Sequence, residues 1–340
     1  MATITVDGLQ KTYTKYAATF STLPYLVMME VLNNLKINLL QVDNEDVLFE
    51  FLRKSGLMKP YAAGQTVDYS ELAKVRERKL EIKDAYAALK DHIQNMKAVN
   101  PLNKDFKAVN VTKTDPYEKE IIDAKIITFT EDVIDALFFS ERNTADKTPM
   151  GCFNGYNYLI DAEIASGEIA VANGNYKTTG SLAAPGNGTD STAYDNLVAW
   201  LRAADPILRK KESILYITTD TYFNVSDACK NKYGAKASDI DFEARLKADA
   251  KMPLLTIISE PCLGSGDRVV LTIPGNYDFG MNNEGDTQFV DIRTPYEDPN
   301  YVQFWMQAGF GCRIRSTHKK VFFVNEGTNV AVELSGDYVS

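Results

Sequence analysis

Histidine is scarce in this chain: His92 and His318 are the two in 340 residues, and both have charged neighbours. A Ser-His-Asp or Cys-His mechanism would have to use one of them, and no GxSxG motif accompanies either. The sequence also lacks a GxxxxGK[ST] motif, and no GxGxxG motif stands between a predicted strand and a predicted helix. These absences argue against histidine-assisted nucleophilic catalysis and against the standard phosphate-binding loops.

Cysteine and long apolar runs are also rare. The four cysteines, Cys152, Cys229, Cys262 and Cys312, are widely spaced and form no CxxC pair. This pattern predicts a reduced, cytosolic folding environment and argues against a zinc site. No run approaches the ~18 apolar residues of a membrane span, and the opening MATITVDGLQKTYTKY has no apolar segment of the secretory type. We therefore predict no metal, no cofactor and no membrane segment.

The composition is that of a folded soluble protein, with 45% apolar and 24% charged residues. A length of 340 residues favours two or three domains. The net charge of −9 argues against a surface that grips nucleic acid throughout. It does not exclude a shell around nucleic acid, because an acidic inner wall would not stick to the contents.

Residues 115–141 predict an unusually long helix. Asp115 is a suitable N-cap, Pro116 follows at the first helical position, and Glu118 occupies the third, as in a capping box. Apolar residues recur at spacings of three and four, at Ile122, Ile126, Phe129, Val133 and Leu137. At roughly 25 residues and ~38 Å, this helix would be about twice the usual globular length. We expect it to act as a spine for the fold.

The N-terminal residues 1–22 predict an arm. Tyr13, Tyr16 and Phe20 lie there among polar residues with no clean period, so the segment is expected to lean on something else. Residues 23–35 then predict a short helix.

A strand and a second helix are predicted next. Residues 37–42 read as a strand, and residues 45–54 as a helix that Asp43 or Asn44 caps and Gly56 ends.

Residues 70–97 are ambiguous. Leu80 and Ile82 alternate with charged residues, as in a strand with two different faces. Other apolar residues in the same stretch fit helical spacings of three and four, and this periodicity slightly favours a helix. The preceding residues 57–68 contain Pro60 and predict an extended segment or loop.

Residues 190–260 predict a compact α/β unit. Its predicted elements are a helix from Ser191 or Thr192 to Asp205, a strand at 213–218, a helix from Asp220 to Gly234, and a strand at 254–258.

The chain after Gly266 predicts strands. The clearest is 301–315, where apolar residues occupy seven successive alternate positions, with Gly309 and Gly311 as a bulge or bend. Shorter strands are predicted at 268–273, 287–293 and 320–325.

Carboxylates form two candidate clusters. Glu131, Asp132 and Asp135 share the long helix and fit its solvated face better than a catalytic site. Asp161 and Glu163 are paired by spacing and fit a surface turn. Neither cluster amounts to a catalytic constellation.

Several runs resemble the major capsid protein of tailed bacteriophages, the Hong Kong 97-like fold, as found in phages that infect Bacteroides-like hosts. EDVIDALFFSERN (131–143) and CFNGYNYLIDAEIASGEI (152–169) are similar to the end of the spine helix and the exit from the peripheral domain. ILYITTDTYFNVSDACKNKYG (214–234) resembles the strand and helix of the axial domain. Residues 254–280, followed by the long strand, resemble the return to the peripheral sheet.

The resemblance covers roughly residues 20–325 and implies an α+β fold with these parts. They are an N-terminal arm (1–22), peripheral-domain helices (23–56), an extended loop (57–88), a peripheral domain with the spine helix (89–189), an axial domain (190–260), and a peripheral-domain sheet with the C-terminus (261–340). Because the family has a two-stranded loop before the spine helix, the resemblance also favours a strand at about 74–83 and a helix from about 84.

The function implied is that of a structural virion protein of the Caudoviricetes and not of an enzyme. The chain would assemble through pentamers and hexamers into an icosahedral shell around double-stranded DNA, in the cytoplasm of the host bacterium. Implied partners are further copies, a separate scaffolding protein, a portal, decoration or auxiliary capsid proteins, and packaged DNA bound without sequence specificity.

The resemblance also implies contacts between subunits through the arm and the loop. The residues predicted to make them are Tyr13, Tyr16, Phe20, Tyr61, Arg76, Arg78, Leu80 and Ile82. An arm and a hairpin are expected to bury their apolar faces on neighbours, since neither can do so in its own chain.

The sequence leaves three alternatives to a capsid protein open. An encapsulin-like nanocompartment uses the same fold around a cargo enzyme. A soluble α/β enzyme would use carboxylates such as Glu131 and Asp135 in a concave pocket. A glycan- or host-binding virion protein would use the aromatic residues and the Gly/Asn-rich loop 173–188.

Overall fold

Helices and strands are mixed along the chain, which confirms the predicted α+β class. The computed structural model describes residues 6–53, 73–92, 117–233, 241–282, 290–296, 298 and 300–331. The helices are α1 Val6–Asn34, α2 Tyr117–Phe139, α3 Tyr156–Ala165, α4 Thr192–Ala203, α5 Pro206–Lys210, α6 Thr219–Tyr233 and α7 Phe242–Ala250. Within these ranges, no helix has the length and apolarity needed to cross a membrane.

The strands described form two main sheets and two separate pairs. They are β1 Asn38–Gln41, β2 Glu45–Arg53, β3 Ala73–Glu81, β4 Lys83–His92, β5 Ser213–Tyr216, β6 Leu255–Ile258, β7 Ser265–Gly266, β8 Val270–Thr272, β9 Tyr277–Met281, β10 Val290–Arg293, β11 Tyr301–Ile314, β12 Phe322–Val324 and β13 Asn329–Val330.

The larger sheet is organised around β11, which confirms the predicted long strand. β11 pairs antiparallel with β4, β9 and β10, and β1 lies parallel to β9. The predicted apolar positions of β11, from Val302 to Ile314, are all buried. The remaining strand pairs are β2 with β3 and β7 with β13.

The predicted spine helix is confirmed as α2, which covers one face of the larger sheet. Ile122, Ile126 and Leu137 are buried in that core, and the Phe129 ring lies 6.0 Å from the Phe310 ring of β11. The predicted cap residues Asp115 and Pro116 lie outside the described residues.

The N-terminal segment, in which the sequence shows no clean period, is a helix, and its role as an arm stays a prediction. One helix, α1, runs through both the predicted arm and the predicted short helix. Leu9, Phe20, Met28 and Leu32 are fully or almost fully buried in the core shared with α2. Successive members of this set are eleven, eight and four residues apart, which places them on one face of the helix. The polar residues between them obscure this periodicity in the sequence.

Residues 45–53 form a strand, so the predicted helix at 45–54 is wrong. They pair with β3 over nine residues, from Glu45 opposite Glu81 to Arg53 opposite Ala73. The segment contains one valine and two phenylalanines, residue types that favour strands. The ladder to β3 prevails over a plausible helix cap at Asp43 or Asn44. Gly56, the predicted end of that helix, lies outside the described residues.

In the ambiguous residues 70–97, the predicted strand is confirmed, and the helix predicted from about residue 84 is wrong for the part of this stretch that the structure describes. The predicted strand at 74–83 corresponds to β3, whereas the chain from Lys83 to His92 forms β4 and pairs with β11 at ten positions. That ladder satisfies the backbone of β4 against the central strand, which outweighs the incidental helical spacing of its apolar residues.

The predicted α/β unit is confirmed in its helices and strands. β5 and β6 lie parallel, and α4, α6 and α7 cover one face of their sheet around Leu215, Leu246 and Trp200. Two strands after Gly266, β8 and β12, also join this sheet. The prediction that the strands after 266 all return to the sheet of the spine helix is therefore wrong for these two.

The two sheets share a core. Ile214 and Tyr216 of β5 face the core of α2, while Leu215 faces α4. The Tyr277 ring of β9 stacks on Tyr156 and Tyr216, with centroids 4.4 and 5.4 Å away. The aromatic stack joins the two halves of the molecule.

Candidate assembly surfaces

The β2–β3 hairpin packs on a platform formed by three glycines, Gly280, Gly309 and Gly311. They lie on the sheet face opposite to α2, because Gly309 and Gly311 alternate with Phe310. A Cβ at Gly311 would lie 2.2 Å from the Glu81 backbone oxygen, and one at Gly280 would lie 2.6 Å from the Ile82 side chain. The β4 ladder continues without interruption through Gly309. The glycines of β11 therefore permit a close backbone approach and mark no bulge.

A buried carboxylate fastens the hairpin to this face. Asp278 of β9 is fully buried, and its Oδ2 lies 2.7 Å from Nη2 of Arg313. Its Oδ1 lies 2.8 Å from Nε of Arg315 and accepts a hydrogen bond from Asn38. Arg313 also reaches the hairpin, with Nη1 2.8 Å from Oδ2 of Asp46. Two guanidinium groups and an amide thus offset the cost of burying Asp278.

A second set of ion pairs holds the inward face of β3. Arg78 is buried and pairs with Glu163 of α3, and its Nη2 donates to the Thr317 hydroxyl at 2.8 Å. Arg76 pairs with Glu168 in the loop after α3. Since each bond joins residues far apart in sequence, the hairpin base is fixed to the body of its own chain.

The outward face of the same hairpin is apolar and exposed. Val47, Phe49 and Val75 lie on it, with 56% of the Phe49 surface accessible. Glu77 stands opposite Phe49 and Lys79 opposite Val47. The outward face of the ribbon therefore combines exposed apolar side chains with charged ones.

An aromatic pair is exposed farther along the same face of the larger sheet. The rings of Tyr86 on β4 and Trp305 on β11 stack with centroids 4.9 Å apart, and 64% of Tyr86 is accessible. This pair could not be predicted from the sequence, because its two residues are 219 positions apart and only the β4–β11 register brings them together.

The aromatic residues predicted as arm contacts are brought together on α1. Tyr13 stacks on Phe20 at 5.7 Å, and Tyr16 meets the Phe20 edge at 6.2 Å. Phe20 is fully buried and the two tyrosines are partly buried against the same core. The expectation that the arm cannot bury its apolar side chains in its own chain is therefore wrong for Phe20. Contacts of Tyr13 and Tyr16 with a neighbour stay predictions.

The predicted loop contacts meet at the hairpin base. Arg76 and Arg78 form its ion pairs, Leu80 is fully buried beneath it, and Ile82 covers the glycine platform. Tyr61 lies outside the described residues. The role of these five residues between subunits stays a prediction.

One candidate carboxylate lines a cleft of about 550 Å³ between β4, α2 and the loop after α2. This is Asp132, which shares the cleft with Asp84 and Asp146. Burial raises the pKa of Asp132, and the charges of Asp135 and Glu131 act in the same direction. Glu131 and Asp135, the residues named for an enzyme, do not line the cleft.

The other candidate groups have structural partners. Asp161 pairs with Arg268 at 2.5 Å, and Glu163 pairs with Arg78. Nδ1 of His318 accepts a hydrogen bond from the Lys320 backbone N–H. Across the described ranges, no group of three or more His, Cys, Asp or Glu residues is arranged to hold a metal.

Comparison with solved structures places the fold among capsid proteins. The capsid chain of the native GTA particle matches with a TM-score of 0.50 and 12% identity, over 87% of this chain and 95% of that chain. A chain of the satellite phage P4 procapsid that includes the size determination (Sid) protein matches at 0.49 and 13%, over 89% and 98%. Mycobacterium phage Bobi matches at 0.49 and 10%, over 86% and 88%. No family model and no curated protein matches the sequence.

Proposed function

We propose that this chain is the major capsid protein of a tailed phage or a phage-like particle. The observation that carries the proposal is the fold shared with the GTA capsid chain over most of both chains. At 12% identity the match speaks to the fold alone, so the shell-forming role rests on the surfaces that accompany that fold.

The hairpin supports this role. Its base is fixed by ion pairs and the glycine platform, so the position of β2 and β3 on the body is defined. Its outward face carries Val47, Phe49 and Val75, which are exposed in the single chain. A ribbon that is fixed to the body of its own chain and carries an exposed apolar face is suited to repeated contacts between identical subunits, and such contacts can close into rings.

In the finer form of the proposal, the fold is of the Hong Kong 97 type. The body around α2 and β11 is the peripheral domain, the unit around β5 and β6 is the axial domain, and pentamers and hexamers build an icosahedral shell around double-stranded DNA. Scaffolding, portal and decoration proteins are the expected partners, and assembly takes place in the host cytoplasm. A relationship to phages of Bacteroides-like hosts stays a prediction.

Assembly of the purified chain tests the proposal. We expect size-exclusion chromatography and negative-stain electron microscopy to reveal shells or five- and six-fold rings, alone or with a candidate scaffolding protein. A stable monomer under all these conditions would overturn the proposal.

The contents of the particles separate a capsid from a nanocompartment. Nuclease-protected DNA in particles from the natural host supports a capsid. A particle from that source that holds a cargo protein and no genome would favour the encapsulin-like alternative.

A further inference from the structure

The outer edge of β4 borders the cleft beside α2. One side of β4 pairs with β11 over its whole length. Six consecutive residues, from Asp84 to Leu89, line the cleft, so the cleft runs along the strand edge and not along one face. Within the described part of the chain, no strand pairs with that side of β4.

A strand edge of this length that has no strand partner among the described residues favours pairing with a further strand. Its backbone N–H and C=O groups point away from β11 and form a template for another chain. Charged residues at the ends of β4, Lys83 and Asp84 at one end and Lys90 and Asp91 at the other, limit which strands fit.

The sequence of β4 is complementary to itself in the antiparallel direction. Residues 83–91 read KDAYAALKD. With Ala87 placed opposite its own copy, Lys83 faces Asp91, Asp84 faces Lys90, and Ala85 faces Leu89. In this register the side chains that face the core in one copy lie beside those that face the core in the other. A shift by one residue would place core-facing side chains beside outward-facing ones. A shift by two residues in either direction loses both pairs of opposite charge.

We propose that two copies of this chain pair through the outer edges of β4, antiparallel about a two-fold axis at Ala87. The larger sheet of one copy and the larger sheet of the other then form one continuous sheet. This inference deepens the proposed function and rests on it, since it names one of the contacts between copies in the shell.

The exposed aromatic pair gains a partner in this arrangement. Tyr86 stands opposite Ala88 of the partner copy, a small residue that leaves room for the ring. The two Tyr86 rings then lie on a diagonal of about 7–8 Å, within reach of aromatic side chains. The stacked rings of Tyr86 and Trp305 in each copy would form a row of four across the axis.

The charged residues at the edge already have contacts in their own chain. Because these contacts lie at the surface, pairing of two copies can leave them in place or replace them with ion pairs between the copies. Lys83 Nζ lies 2.7 Å from Glu81, and Lys90 Nζ lies 5.0 Å from the Tyr301 ring centre. In each copy, Asp84 and Lys90 are six residues apart on the strand, about 20 Å, so they cannot pair with each other.

A disulfide tests the register directly. Opposed residues in an antiparallel pair have Cα atoms about 4.5 or 5.5 Å apart, and both distances suit a disulfide. We expect Ala87→Cys to form a disulfide-linked dimer under mild oxidation in assembled particles. The background should carry Cys152→Ser, because Cys152 lines the same cleft while the other three cysteines are buried.

Ala85→Cys is the matched control on the same face of β4. Its two copies would be about 13 Å apart, beyond disulfide reach. Assembled particles in which Ala87→Cys stays reduced, or in which both variants cross-link equally, would overturn the inference and leave the proposed function standing. Failure of the wild-type chain to form any particle would instead contradict the proposed function.

A charge exchange gives a second, independent test. Asp84→Lys places two Lys–Lys pairs across the axis, and Lys90→Asp places two Asp–Asp pairs there, so each should lower the yield of the Ala87→Cys dimer by about fivefold to tenfold. The double variant Asp84→Lys/Lys90→Asp should restore it. Because the two positions cannot meet within one chain, restoration identifies a contact between copies, and its absence would contradict the proposed register.

Discussion

At the residue scale, Gly280, Gly309 and Gly311 are explained by the hairpin base that packs directly against them. The sequence indicates that Gly309 and Gly311 interrupt a long strand, but a bulge, a bend and a close backbone approach leave the same trace in a sequence. Only the position of Glu81 and Ile82 over β11 decides among them. The ion pairs of Asp278 escaped prediction for the same reason, because Asp46, Asp278 and Arg313 are distant in sequence.

Gly311→Ala tests the platform. The added Cβ would lie 2.2 Å from the Glu81 backbone oxygen, so the hairpin base must shift. Overpacking of this kind costs about 1–3 kcal/mol, which urea unfolding of the unassembled chain would measure. Gly188→Ala is the control, since a Cβ there has no neighbour within 4 Å. Equal stability of the two variants would show that the hairpin does not depend on the platform.

At the element scale, long elements with a strong period are predictable and short or two-faced ones are not. α2 and β11 each repeat one period over many residues, and both are confirmed. β2 and β4 are strands because β3 and β11 pair with them, information that their own spacing does not contain. α7 was missed although a signal exists: Asp241 caps it, and Phe242, Leu246 and Ala250 recur every four residues.

Phe20→Ala tests whether α1 belongs to the core of its own chain. Removal of a fully buried phenylalanine costs about 3–5 kcal/mol of unfolding free energy. Leu26→Ala on the same helix is the control, because 56% of that residue is accessible. The comparison should be made by chemical unfolding of the unassembled chain. A Phe20→Ala variant as stable as the control would return this helix to the role of an arm that packs on neighbours.

His318 gives the segment beside the hairpin base a pH dependence. Burial lowers its pKa, the positive charge of Lys320 acts in the same direction, and Glu50 opposes them. The unfolded chain therefore binds the proton more readily, with a pKa of about 6.5. The contribution of His318 to stability is complete above that pH and is lost as the pH falls below it.

We expect the unfolding free energy of the wild type to decrease from pH 7.5 to pH 5.5 by more than that of His318→Gln. Urea unfolding at the two pH values measures both changes. Equal decreases would mean that other groups govern the pH dependence.

At the scale of the whole molecule, the exposed face of the hairpin should matter for assembly and not for folding. Phe49→Lys with Val75→Lys places charges on a surface that is open in the single chain, and the first of these changes stands opposite Glu77, so it creates no like-charge pair within the ribbon. Burial of a side chain such as Phe49 in a contact contributes about 1.5–3 kcal/mol, so shells should be lost while circular dichroism and unfolding stay unchanged. Phe49→Tyr, which keeps the ring, should still assemble. Normal shells from the doubly charged variant would exclude this face from the subunit contacts.

The fold class, the spine helix and the long strand follow from patterns within single elements, whereas the resemblance to capsid proteins rests on the order and length of several elements. The division of strands between the two sheets does not, because β8 and β12 enter the sheet of β5 by pairing across long stretches of chain. The candidate assembly surfaces depend on that long-range pairing throughout, which is why the contact between Tyr86 and Trp305 could not be predicted from the sequence.

Sedimentation velocity of the purified wild-type chain, with microscopy of the fastest fraction, tests the central claim most directly. A shell protein is predicted to sediment partly or wholly as large closed particles, together with pentamers and hexamers. A single slow boundary at the mass of one 37.9 kDa chain, unchanged by concentration and by a scaffolding protein, would contradict the account.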